Sequence, residues 1–296
     1  MPDSIKNNLN TKLRKYSVAG IVTEVLDLKY LYIEAHINAY YNPSLASNAD
    51  SVKSVVSNNI TTYAESSEMN KYGSRFKYSK FQTIVDNSNE SITSNITKIE
   101  IRRDMKPALN QNAEYELCFG NPFYIKNNDG YNIKSSGFNI FGIADTVYMS
   151  DLPNSDGKTG TIFLFKLTSR NNPQIVSNNI GTVDYDRAEI IIKPITIVNT
   201  SKKVQNIPII EVSACPKSND VIGLQDLYLQ LDINNSTIDM VNDNVSSGDN
   251  TSGTLYTATS SYMVGDIARL TEEESLNTTL TSSDTYILGS PTSLTY

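Results

Sequence analysis

The chain of 296 residues has no tryptophan, one histidine (His36) and two cysteines, Cys118 and Cys215. Each scarcity removes a class of chemistry. Sugar sites commonly use large aromatic platforms, so the missing tryptophan counts against glycan recognition, although 18 tyrosines remain. A lone histidine limits metal ligation and acid–base work. The cysteines have no CxxC partner and fall in apparent strands, which argues against a disulfide framework or a Cys-rich zinc site; buried, reduced thiols are expected. Charge is also sparse, at 19% of residues, where about one quarter is usual. Lys and Arg number 25 against 32 Asp and Glu, a formal net charge of −7. Nucleic-acid affinity comes mostly from cations neutralising phosphates, so broad backbone binding is not expected. No run approaches the roughly 18 apolar residues that cross a bilayer. The start, MPDSIKNNLN, lacks an apolar signal-peptide core, and a soluble chain without a secretory signal is expected. The Asn-x-Ser/Thr sequons at Asn59, Asn95, Asn199 and Asn277 are then read as composition.

What is present is a long, polar, weakly charged chain able to bury roughly 75% of its unfolded surface. In SIKNNLNTKLRKY, Ile5, Leu9 and Leu13 recur every fourth residue and predict a helix with one apolar stripe. From Tyr30 to Tyr40 the period becomes two, with Leu31, Ile33, Ala35, Ile37 and Ala39 on one face, which predicts a half-buried strand. GIVTEVLD at 20–27 predicts a preceding strand joined tightly enough to be antiparallel. Ser47 and Asp50 have capping-box spacing, and Val52, Val56, Ile60 and Tyr63 continue as a helix ending before Gly73. Ser79 is expected to cap a short helix carrying Phe81, Ile84 and Val85, and a strand from Ile92 to about Arg103 follows. After Pro107 short alternating runs dominate, with hairpin signals at NNDG (127–130) and DG (156–157), and Pro194 and Pro208 suit edges or bulges. The alternation of Leu227, Leu229, Leu231 and Ile233 closes this β-rich series. Beyond about residue 240 the chain turns to Gly, Ser, Thr and Asn, with a modest apolar return at SYMVGDIARL that could add a strand to this or a neighbouring subunit. The expected class is α+β: an N-terminal antiparallel sheet with packed helices (1–107), a β-rich domain (108–240) and an extended polar C-terminal arm (241–296).

No constellation for catalysis emerges. DGKTG resembles the end of a phosphate loop, but Leu152 stands where the first glycine belongs and a strand follows instead of a helix; a hairpin turn is expected. Read as a calcium loop, it puts Leu152 and Phe163 where carboxylates are needed. Glu114 with Glu116, and Asp184 with Asp186, are carboxylate pairs of the kind glycoside hydrolysis uses. Spacing of two arises readily on solvated strand faces. His36 has no partner suggested by spacing and reads as a solvent or interface residue. No cofactor, metal or small-molecule substrate is expected.

The most distinctive stretch is NKYGSRFKYSKF, where Tyr72, Phe76, Tyr78 and Phe81 alternate with Lys71, Arg75, Lys77 and Lys80. Single-strand binders combine rings and cations in this way. Periodicity instead assigns the rings to packing at a helix–glycine–helix corner, with cation stems laid over apolar surface and heads in water, open to an acidic protein partner.

The same stretch carries a family resemblance. YGSRFKYSKFQTIVDNSNESITSNITKIEIRRDM is similar to the central motif of baseplate wedge proteins of contractile-tailed bacteriophages, related to the baseplate J-like family. Gly73, Phe76, Lys77, Tyr78, Ser79, Asp86, Ile92, Ser94, Arg102 and Arg103 occupy the motif's places. AEYELCFGNPF, GTVDYDRAEIII and NDVIGLQDLYLQLDI resemble later parts of the same family, and the chain is similar to the C-terminal half of a longer wedge protein. The resemblance implies a non-enzymatic virion component, made in the host bacterial cytoplasm and located in the tail baseplate. It implies a dimer joined to other wedge proteins in a ring around the tail hub, which rearranges on sheath contraction. Structural residues would be Tyr72, Gly73, Phe76, Tyr78, Ser79, Phe81 and Asp86. Partner contacts would involve Ile5, Leu9, Leu13, Lys71, Arg75, Lys77, Arg102 and Arg103. A tail-associated glycan-binding or glycan-cleaving protein is the alternative.

Overall fold

The computed structural model describes residues 3–18, 20–23, 25, 28–46, 48–125, 131–168, 172–224, 227–243 and 267–270. In chain order the elements are α1 (Asp3–Arg14), β1 (Lys29–Tyr41), α2 (Ala49–Glu65), β2 (Arg75–Phe76), α3 (Tyr78–Asp86), β3 (Ile92–Met105), β4 (Asn112–Cys118), β5 (Lys134–Ser135) and β6 (Phe138–Ile140). They continue with β7 (Tyr148–Pro153), β8 (Thr159–Leu167), β9 (Pro173–Asp184), β10 (Glu189–Thr200), β11 (Lys202–Val204), β12 (Ile207–Ala214), β13 (Val221–Ile222), β14 (Leu227–Leu231) and β15 (Thr237–Asn242). The chain is mostly β and divides into two units, residues 1–97 with 219–257 and residues 98–218 with 258–296. Strand β3 carries the chain from the first into the second, so the expected break near 107 falls later than the division at 97–98.

In the first unit the alternation of β1 buries Leu31, Ile33, Ala35, Ile37 and Ala39. Its neighbours differ from expectation. Among the described residues of 20–28 there is no strand, and β1 pairs in parallel with β14 (Lys29↔Leu227 to Ile33↔Leu231) and then with β15 (His36↔Thr237 to Tyr41↔Asn242). Parallel pairing needs a long crossover, supplied here by everything between β1 and residue 227, so no local hairpin signal could reveal it. Leu227, Leu229 and Leu231 thus finish the first unit and not the β-rich series. At the gap between β14 and β15, Ser236 Oγ accepts from Ala35 N at 3.0 Å and Ile33 O accepts from Asp232 N at 2.8 Å, which keeps the broken ladder satisfied.

Helix α2 buries the expected Val52, Val56, Ile60 and Tyr63. Its N-cap is Asn48, whose Oδ1 accepts from Asp50 N at 3.0 Å; Ser47 lies outside the described residues. Among the described residues no helix is long and apolar enough to cross a membrane.

The second unit is antiparallel, in the order β3-β12-β5-β7-β8-β9-β10-β4, with β11 on β12 and β6 on β10. The DG signal at 156–157 turns β7 into β8, with Gly157 at φ +62°. Pro194 falls where the β10–β4 register shifts between Ile192 and Ile195, as expected of a residue with no N–H to give. The β11–β12 hairpin turns through Gln205 and Asn206 at φ +50° and +66°, a primed turn made without glycine. Gly181 is a close approach: a Cβ there would lie 2.3 Å from Ile191 O. The NNDG signal and most of the 241–296 arm lie outside the described residues. Its apolar return is described at 267–270, where Arg269 forms a parallel bridge with Ser136.

Candidate functional site

The aromatic–cationic stretch forms a corner between α2 and α3. Gly73 supplies the turn at φ +63°, and β2 then pairs with β13, setting Phe76 opposite Val221 and Arg75 opposite Ile222. Phe76 and Phe81 are fully buried, with ring centroids 5.2 Å apart. Tyr63 of α2 completes the group at 6.5 Å from Phe76 and 6.1 Å from Phe81. Aromatic pairs at such distances add roughly 0.5–1.5 kcal/mol each beyond the area they bury. Tyr78 is half-buried and its hydroxyl donates to Thr97 O at 2.6 Å.

Two details depart from expectation. Tyr72 is 60% exposed, its ring edge-on to Tyr228 at 5.5 Å, so it lies outside the inward-facing set. Ser79 does not cap α3. The N-cap position is Lys77, which offers no side-chain cap, and Asp220 Oδ1 accepts from Tyr78 N at 2.8 Å instead. Ser79 sits in the first turn, its carbonyl accepting from Thr83 Oγ1 at 2.9 Å. At the far end Asp86 Oδ1 accepts from Asn95 Nδ2 at 2.6 Å, tying α3 to the start of β3.

The cations stand on the outer side of this corner. Lys71, Arg75, Lys77 and Lys80 are exposed. Glu68 gathers two of them: Lys80 Nζ hydrogen-bonds its Oε2 and Lys77 Nζ lies 3.8 Å from Oε1. The hydrogen bond from Lys80, ahead of the neighbouring charges, holds the Glu68 carboxyl below its ordinary range. Lys80 also sits 5.9 Å above the Tyr63 ring centroid.

The remaining expected contact residues divide sharply. Ile5, Leu9 and Leu13 on α1 are 53%, 39% and 38% exposed. Arg102 is only 4% exposed, its Nε 2.9 Å from Asp104 Oδ1 and its Nη1 3.8 Å from Glu211 Oε1, so it is an internal ion-pair residue and cannot face a partner. Burial there raises the Asp104 carboxyl above its usual range, against the pull of Arg102. Arg103 is half-buried and donates to Cys118 O.

The chemical candidates take structural positions. Asp156 organises the DGKTG turn, Oδ1 accepting from Lys158 N at 3.0 Å and Thr159 N at 2.9 Å, and Oδ2 from Thr159 Oγ1 at 2.6 Å. These bonds, that of the Thr159 hydroxyl foremost, lower its carboxyl to about 2. Asp184 Oδ1 accepts from Arg187 N at 2.9 Å, and Asp186 lies 3.9 Å from Lys217. Asp184 lines a shallow cleft of roughly 290 Å³ with Glu189, Thr159 and Ile191; Asp186 does not. Glu114 and Glu116 are exposed on β4, and His36 Nδ1 lies 3.0 Å from Thr237 Oγ1 across the β1–β15 pair. Cys215 is buried, whereas Cys118 is exposed on β4, contrary to expectation. Its thiol donates to Glu116 Oε1 at 3.2 Å and is pushed up to about 11, by desolvation first and that acidic neighbour next. Sequence reading missed Asp151 and Tyr185, a buried pair joined at 2.7 Å from Tyr185 OH to Asp151 Oδ2, with Ile133 N donating to Asp151 Oδ1 at 2.7 Å. Burial raises both groups, which suits an internal brace rather than a reactive one.

Residues 29–104, the run from β1 through α2, the ring corner and α3 to nearly the end of β3, match the family described as baseplate structural protein gp6, C-terminal domain III. That part of the chain is therefore similar to a bacteriophage baseplate structural domain. No curated protein matches the chain. The matched residues include the buried rings, the exposed cations and the Gly73 turn. The matched family is described as a structural one.

Proposed function

We propose that the chain is a wedge subunit that self-associates, as a dimer, and docks onto other wedge proteins, joining wedges into a ring around the tail hub that rearranges when the sheath contracts. The match of residues 29–104 to a baseplate structural domain carries the reading. Two surface features support it. The apolar stripe Ile5, Leu9 and Leu13 is exposed along α1, the pattern of a helix that is covered by a neighbour. Around the ring corner, Lys71, Arg75 and Lys77 offer positive charge on a chain of net charge −7, which suits an acidic patch on a protein partner. A stable assembly contact of this kind buries on the order of 1,600 Å² or more. The ring-joining role is tested by electron microscopy of tails carrying a tagged copy of the chain. Label at the rim of the baseplate ring supports the reading; label elsewhere on the particle, or none, removes it.

A further inference from the structure

Strand β3 alternates Glu100, Arg102 and Asp104 on one face with Ile99, Ile101 and Met105 on the other. Such alternation ordinarily marks a solvated face. Here Glu100 and Arg102 are as buried as Ile99 and Ile101. Glu211 of β12, opposite Asp104, is buried beside them, and Lys134 of β5 lies 3.9 Å from Glu100. Carboxylates removed from water in this way are tolerated only with close cationic partners.

One of those partners arrives from far along the chain. Arg269 spans both acids, with Nε and Nη2 each 3.4 Å from Glu211 Oε2 and Nη1 3.5 Å from Glu100 Oε2. Its backbone N donates to Ser135 O at 3.0 Å and the residue bridges Ser136 in parallel, so the segment adds to the β5 region as a short strand. The preceding residue, Ala268, is buried against Tyr148, Phe163 and Phe165, with Ile267, Leu270 and Leu167 packed around them. The Tyr148 and Phe165 rings are stacked at 5.7 Å and Phe163 is tilted by 46° to Phe165 at 5.9 Å, forming an aromatic seat against which the small side chain of Ala268 is buried. Backbone pairing, an apolar seat and two buried carboxylates therefore converge on four consecutive residues.

We propose that the second unit contains a peptide-recognition site for an arginine flanked by small and aliphatic residues, and that its occupant is the chain's own Ile267–Leu270. The carboxylates of Glu100 and Glu211 select arginine, because a planar guanidinium reaches two acids at once where an ammonium is a single point. The Tyr148–Phe163–Phe165 seat selects a small residue just before it. The chain is thereby tied to the second unit at Ile267–Leu270.

The test uses the full-length chain. A fluorescent peptide with the sequence of residues 263–273, MVGDIARLTEE, is titrated against the chain carrying Arg269→Ala and against the unaltered chain. Saturable binding to the variant is expected, weakened roughly ten- to a hundredfold when the arginine of the peptide is replaced by alanine, as for the loss of charge-assisted hydrogen bonds. No binding to the unaltered chain is expected, because its own segment fills the site at high effective concentration. Amide exchange of the unaltered chain supplies a measurement independent of any variant, with the Arg269 amide slowed by its bond to Ser135. A peptide that binds neither chain, or an Arg269 amide that exchanges at free-peptide rates, overturns the proposal. Equal binding to both chains overturns it too, since the site would then stand open.

Discussion

Asp220 caps a helix that begins 142 residues earlier, its Oδ1 accepting from Tyr78 N at 2.8 Å. The first amides of a helix lack internal partners, and α3 has only Lys77 at its own N-cap position. The turn that leads into β13 and the helix that follows β2 are thus joined by a side chain as well as by the β2–β13 pair. Asp220→Ala should destabilise the chain by about 1 kcal/mol and speed amide exchange through the first turn of α3, while Asp220→Asn, which keeps an acceptor, should lose much less. Equal effects of the two substitutions would contradict the capping role.

The ring corner makes a contrast between neighbours. Phe81→Ala empties a site shared with Tyr63 and Phe76 and should cost about 3–5 kcal/mol in denaturant unfolding. Tyr72→Ala removes a ring that is 60% exposed and should stay within about 0.5 kcal/mol of the parent.

The DGKTG turn should be acid-sensitive in one direction. Asp156 has its carboxyl lowered to about 2 from an ordinary value of 3.8. A lowered folded-state value means that the unfolded chain binds the proton more readily, so the contribution is complete above about pH 4 and is lost as pH falls toward 2. Carbon-13 shifts of the Asp156 carboxyl should give a midpoint near 2, and Asp156→Ala should remove that titration and loosen Thr159. A midpoint at the ordinary value would show the turn bonds to be weak.

The glycan-cleaving alternative predicts a different kind of loss. Replacing Asp184 and Asp186 together with asparagine preserves the acceptor for Arg187 N and should leave folding and assembly unchanged. If host polysaccharide is cleaved by the parent and spared by the double variant, those carboxylates have a chemical role that their turn contacts do not reveal.

Local periodicity made several elements legible. The alternation in β1 and the helical spacing of Val52, Val56, Ile60 and Tyr63 each come from burial of a single face, which is a property of neighbouring residues. The parallel partners of β1 were not legible, because residues 227–242 meet it only after the second unit has intervened. Arg102 was misread for a related reason. Its charge suggests solvent, and the acids that hold it inside include Glu211, more than a hundred residues away. The β11–β12 turn lacks the glycine that flags such hairpins, since Gln205 and Asn206 adopt the left-handed conformation themselves. Asp220 and Arg269 act across 142 and 169 residues and carried no local signature at all.

The central claim is that this is an assembly subunit, and the mass of the purified chain in solution tests it most directly. Light scattering at micromolar concentration should report at least two copies per particle, and a larger complex when other wedge proteins are added. Converting Ile5, Leu9 and Leu13 together to serine should reduce that mass while leaving the unfolding transition in place. A parent chain that stays monomeric alone and with those proteins would contradict the account.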